Sequence, residues 1–152
     1  MNSGNQNVAL LHKVVDDWMS AGSDADRSTS WQDYRAIYHP DIVFNGCEIA
    51  GRDRTGKGRD RFMDMIEQDA KVVAEGSRDE VLAIHALGES LAVIHGRAHR
   101  RFRRTGEAVS YNYATLVRID DGLITRMDDM IDAIAEPYWQ RAWDAFNMAA
   151  AT

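Results

Sequence analysis

Residues 110–132, SYNYATLVRIDDGLITRMDDMID, limit the possible folds more than any other stretch. Strand side chains alternate between two faces, and the run reads as two antiparallel strands. Tyr111, Tyr113, Thr115, Val117 and Ile119 share one face of the first strand. Asp120-Asp121-Gly122 supplies the turn, because Asp-Gly accepts the positive φ that a two-residue hairpin loop needs. In the second strand Leu123, Thr125, Met127, Asp129 and Ile131 share one face; Ile124, Arg126, Asp128, Met130 and Asp132 share the other. Asp129 breaks its pattern, lying between Met127 and Ile131 on an apolar face. If that face is the core or a pocket, ionising Asp129 is costly and its pKa rises.

A chain of 152 residues predicts one domain, residues 1–152, with a frayed tail at 149–152. The net charge of −6 argues against a nucleic-acid partner, which needs a basic surface. The one basic run, RAHRRFRR from Arg97 to Arg104, reads as a solvated strand whose arginines pair with the acidic excess. A single cysteine, Cys47, excludes an intramolecular disulfide and suits a reducing compartment. The N-terminus has no long apolar core, and no run approaches the ~20 apolar residues of a membrane span. The expectation is a cytoplasmic domain with no membrane contact.

Apolar spacing predicts a helix over Asn7–Ala21, through Val8, Leu11 and Trp18, ended by Gly22. Ser30 caps a second, short helix through Tyr34, Ile37 and Tyr38, stopped at His39-Pro40. Ile42–Glu48 is a strand. Gly51–Gly58, GRDRTGKG, lacks the spacing of a phosphate loop and reads as a plain connector. Arg59–Ala74 is a third helix, with Phe62, Met65, Ile66, Ala70 and Val73 on one side. Strands over Val81–Leu87, Leu91–Arg103 and Val109–Ile119 form a meander, and Pro137–Phe146 closes the chain as a helix. Helices followed by antiparallel strands give an α+β class.

This order resembles the nuclear transport factor 2-like superfamily, with its SnoaL-like cyclases, ketosteroid isomerases, dehydratases and limonene epoxide hydrolases. The resemblance implies a cone-shaped α+β barrel: a curved, mostly antiparallel sheet with three N-terminal helices packed across its concave face. The local likeness is to the limonene epoxide hydrolase-like branch, in AVIHGRAHRRFRR and in the hairpin. It places Arg97 on that branch's strand arginine and Asp129 on its last-strand aspartate. His99 stands where the branch has a second carboxylate, Phe44 where it has a tyrosine, and Asn45 matches its asparagine loosely. A His with an Asp looks more like the acid–base pairs of the cyclases and dehydratases.

From the residues, Asp129, His99 and Arg97 are the candidate catalytic set: an acid, a titratable imidazole and a fixed cation. They suit proton abstraction beside a carbonyl, elimination of water or epoxide opening, without a cofactor. This placement needs Arg97 and His99 to face inward; the other face of their strand, Ala92, Ile94, Gly96, Ala98 and Phe102, is also small and apolar. Trp18, Tyr34, Tyr38, Asn45, Phe62, Tyr113 and Met127 are the expected substrate-binding wall. No His/Asp/Glu set has a metal spacing. A non-catalytic ligand- or partner-binding module on the same fold is the alternative. The outer sheet face, with Ile124, Met130, Ala114 and Leu116 among Arg118, Arg126, Asp128 and Asp132, predicts a homodimer in which Arg126 meets a partner's Asp128 or Asp132.

Overall fold

The computed structural model describes residues 7–12 and 35–151. The strands are β1 Tyr38–Asn45, β2 Thr55–Lys57, β3 Arg78–Leu87, β4 Leu91–Arg101, β5 Ala108–Asp120 and β6 Leu123–Ile131. They form one six-stranded sheet in the order β2-β1-β6-β5-β4-β3. Every neighbouring pair is antiparallel except β1 and β6, which run parallel. The sheet is therefore a meander of four strands, with the N-terminal hairpin β1-β2 added beside β6. Helices α1 Arg59–Ala70 and α2 Glu136–Ala150 complete an α+β architecture, with a short 3₁₀ turn at Ala133–Ala135.

Residues 7–12 are helical, at the start of the helix expected over Asn7–Ala21. The rest of that helix, and the second as far as Tyr34, lie outside the described residues, Trp18 and Tyr34 included; of the second, Arg35 is helical and Ala36 and Ile37 form a turn. Tyr38 opens β1 instead of ending a helix. Pro40 has no N–H to give the ladder, and the register against β6 shifts between Tyr38 and Val43. The Asp41 N–H turns instead to Nδ1 of His39, at 3.0 Å. The supposed connector at 51–58 contains β2, paired through Phe44 and Gly56. α1 stops four residues early, at Ala70. Beyond it the chain joins the end of β4: Arg103 N–H donates to Val72 O at 2.9 Å, and Ala74 N–H to Arg101 O at 2.7 Å. At the other end α2 stays helical through Ala150, beyond the expected start of fraying.

The β5–β6 hairpin forms as its sequence predicts. Asp121 and Gly122 have φ of 50° and 76°, the paired positive values of a primed two-residue turn. Gly122→Ala is expected to cost about 1–2 kcal/mol, the strain of a Cβ in the left-handed region, measured by urea unfolding. A bulge then alters the alternation. Arg118 pairs with Arg126 but Ile119 pairs with Ile124, which puts one extra residue into β6. Ile124 turns inward and is fully buried, so it is not on the outer face.

The core lies on the sheet face that carries Phe44, Met127, Val117 and Ile94. Tyr38 and Phe44 both meet Phe62 of α1 edge-on, at ring centroid distances of 4.7 and 5.3 Å. Phe102 meets Trp139 of α2 in the same way at 5.2 Å. These contacts fix α1 and α2 on one side of the sheet and leave a cavity between α1 and strands β4 to β6.

Candidate active site

The cavity has about 120 Å³ of free volume, several times the ~10–15 Å³ that one water needs. Its floor is β5 and β6, with Thr115, Tyr113, Tyr111, Met127 and Asp129; its roof is α1, with Phe62, Met65, Ile66 and Asp69. Asp129 stands opposite Thr115 in the ladder. Thr115, itself fully buried, donates its hydroxyl to Asp129 Oδ1 at 2.7 Å. Asp129 is half-buried, on the wall of the cavity. Burial pushes its pKa up, and the neighbouring Asp69 and Asp128 charges push the same way. The charge of Arg54 and the Thr115 hydrogen bond oppose this without cancelling it.

Arg54 is the cation of the site, and it comes from the loop before β2. Its Nε and Nη2 donate to Asp69 Oδ2 at 3.0 and 2.8 Å, and Nη1 donates to the carbonyl of Gly46. Gly46 makes the space for it: a Cβ there would stand 3.0 Å from Arg54 Cζ and 3.1 Å from Met65 Sδ. Asp69 thus takes most of the arginine's attraction, and among the described residues Asp129 makes no ion pair of its own. Cys47 donates its thiol to the backbone carbonyl of Asp129. Burial and the Asp129 charge push that thiol's pKa up.

A second ion pair closes the other end of the cavity. Nη2 of Arg100 donates to both oxygens of Asp79 at 3.0 Å, and Nη1 donates to Arg78 O at 3.0 Å. Tyr113 leans toward this pair. Burial and Asp79 push its hydroxyl pKa well above the usual phenolic range. Tyr111 is raised as well, chiefly by burial, and accepts a hydrogen bond from Trp139 Nε1 at 3.1 Å.

Of the expected catalytic set, only Asp129 lies in the cavity. Arg97 and His99 point out through the opposite face of β4. Arg97 donates to Asn112 at 3.1 Å; His99 lies between Ser110 at 2.7 Å and Glu80 at 3.2 Å. The inward face is Ala92, Ile94 and Ala98, each almost fully buried, followed by Arg100. Alternation groups residues by face but does not say which face is covered. The smaller side chains went inward because they leave room for Tyr113 and α1. Among the expected wall residues, Asn45, Phe62, Tyr113 and Met127 line the cavity. Tyr38 is buried core beneath Phe62 and does not reach it.

Sequence reasoning missed Arg54, Asp69, Asp79 and Arg100. Two of them carried a signal. Asp69 falls in the apolar stripe of α1, three residues after Ile66 and four before Val73, and Arg100 continues the small inward face two residues after Ala98.

A family model for the SnoaL-like domain matches residues 19–127. No curated protein sequence matches the chain. Solved structures match it in fold. A protein with a ketosteroid isomerase-like fold from Catenulispora acidiphila, in complex with trimethylamine, is 12% identical and has a TM-score of 0.67, covering 87% of this chain and 92% of that one. A nuclear transport factor 2-like protein from Anabaena variabilis is 11% identical with a TM-score of 0.71, covering 90% and 96%. TerC, co-crystallised with polyporic acid, is 17% identical with a TM-score of 0.70, covering 90% and 98%.

Proposed function

Because the chain belongs to the SnoaL-like family of the nuclear transport factor 2-like superfamily, we propose that it is a cofactor-independent acid–base enzyme acting on a small, mostly apolar, oxygenated molecule. That family includes polyketide cyclases and isomerases. The observation that carries the reading is Asp129: a carboxyl on the wall of an apolar cavity, pushed up in pKa, with no ion pair among the described residues. A carboxyl moved toward neutral pH passes a proton in either direction at little cost. Thr115 fixes the direction of its lone pairs. Arg54 supplies positive charge beside it, where charge would build on a ligand oxygen. Ring-closing or isomerising proton transfer beside a carbonyl fits this set, and so does loss of water. A screen of ketones, enols and epoxides, run with wild type and Asp129→Asn in parallel, tests the assignment.

One observation favours a ligand-binding module without chemistry. Among the described residues no histidine lines the cavity, so Asp129 would serve as both acid and base. Tight binding of a ligand that is never turned over would establish that reading.

We also propose a homodimer through the outer sheet face, where Met130 is 56% exposed beside Leu116 and Ala114. Arg126 does not need a partner's carboxylate, since its Nε donates to its own chain's Asp128 at 2.7 Å. Asp132 is likewise occupied, accepting from Ile134 N–H at 3.0 Å. The expected interface is therefore apolar at its centre. Sedimentation at micromolar concentration should show twice the 17.1 kDa chain mass, and Met130→Glu should return it to that mass. A single 17.1 kDa species in the wild type would exclude the dimer.

A further inference from the structure

Asp69 lies in the last turn of α1, three residues after the buried Ile66. An anion there opposes the helix dipole. It is also half-buried: its side chain is 20% exposed, and that of Arg54, which it meets, 10%. Taking such a pair out of water costs so much that apolar side chains of the same volume often stabilise a fold as well or better. Stability is therefore a poor account of the pair. Its place is a better one, since Asp69, Arg54 and Asp129 line the same cavity.

A guanidinium carries five N–H groups. Arg54 gives those of Nε and Nη2 to Asp69 Oδ2, at 3.0 and 2.8 Å, and one of Nη1 to the Gly46 carbonyl. Gly46 has no side chain to displace it; a Cβ there would stand 3.0 Å from both Cζ and Nη1. The guanidinium is thus fixed by α1 and by the turn after β1, and not by β6. Among the described residues it makes no ion pair with Asp129, although its charge still reaches that carboxyl. The other described ionisable groups around Asp129 supply no second cation. Asp128, next on its strand, adds repulsion and is held by its own partner, Arg126, at 2.7 Å. Tyr111 and Tyr113 of β5, and Cys47 after β1, are raised in pKa and face it uncharged.

We infer that Asp69 is a positioning residue: it holds the Arg54 guanidinium against α1 and the Gly46 carbonyl, so that Arg54 does not close onto Asp129 and fix it as a permanent carboxylate. The inference rests on the reading of Asp129 as the acid–base group of the cavity. Asp69 acts through Arg54, and its loss is felt at Asp129.

The test is the titration of the Asp129 carboxyl by carbon-13 NMR of the full-length, aspartate-labelled protein, in wild type, Asp69→Asn and Asp69→Asn/Arg54→Met. Asparagine keeps the shape of Asp69 and an oxygen for Arg54 but removes the counter-charge. The expected result is a pKa in Asp69→Asn lower than in wild type by about one pH unit or more, the effect of an uncancelled arginine beside a carboxylate. Removing both charges should undo the fall and bring Asp129 back to within about one unit of wild type. A pKa that does not move in Asp69→Asn makes Asp69 merely structural; it overturns the inference and leaves the acid–base reading intact. A double variant that titrates as low as Asp69→Asn does the same, because Asp69 would then act on Asp129 directly. If Asp69→Asn loses its native circular dichroism, the double variant decides: a value near wild type supports the inference, and one shifted either way by more than about one unit overturns it. A wild-type pKa at the ordinary aspartate value overturns both the inference and the reading beneath it.

Discussion

Asp129→Asn is expected to lower turnover by about 10²–10⁴-fold, the usual contribution of a positioned acid–base group, while the folded state is kept. Asparagine has the same shape and still accepts the Thr115 hydroxyl, which lies 2.7 Å from Oδ1 in the wild type. What it loses is the titratable proton. The stability effect has a definite sign. The folded-state pKa of Asp129 is raised, so its contribution to stability is fully present below the unfolded carboxylate's pKa of about 3.9. It is lost as pH rises through the folded value. The Asn variant escapes that loss. Its stability relative to wild type should therefore increase from pH 4 to pH 8 in urea unfolding. A variant with wild-type turnover would remove Asp129 from the chemistry, and a flat stability difference would remove the raised pKa.

Asp79→Ala should be among the most destabilising single changes in the chain, at about 3–5 kcal/mol. The Asp79 side chain is 1% exposed and that of Arg100 is 15% exposed. Removing the carboxylate leaves a guanidinium in the protein interior with no counter-charge. The double variant Asp79→Leu/Arg100→Met should recover much of the loss, since it removes both charges and fills the space with apolar atoms. Urea unfolding of the two variants tests this. A single-variant loss below about 1 kcal/mol would show the pair to be worth no more than an exposed one.

The element pattern and the candidate site differed in how far they could be read from sequence. Strand alternation around Asp-Gly gave the β5–β6 hairpin, and Asp129 between Met127 and Ile131 was legible as a carboxyl on an apolar face. Period-two alternation leaves the choice of face open, however, and on β4 both faces were compatible with burial. Packing decided it, because Gly96 and Ala98 admit Tyr113 and α1 where Arg97 and His99 would not. The extra residue at the Arg118/Ile119 step reversed Ile124 without any signal in composition. Arg54 lies in a segment that reads as a connector. It becomes a site residue only because β2 pairs with β1 and brings it against Asp69, a contact 15 residues apart in sequence.

The most direct measurement is the titration of the Asp129 carboxyl itself, by carbon-13 NMR of aspartate-labelled protein, assigned by the signal missing in Asp129→Asn. It needs no substrate. The expected result is a pKa clearly above the ordinary aspartate value of about 3.9, in keeping with the burial that raises it against the opposing charge of Arg54. A pKa at or below that value would mean that Arg54 holds Asp129 as a permanent carboxylate, and the acid–base reading of the cavity would be wrong.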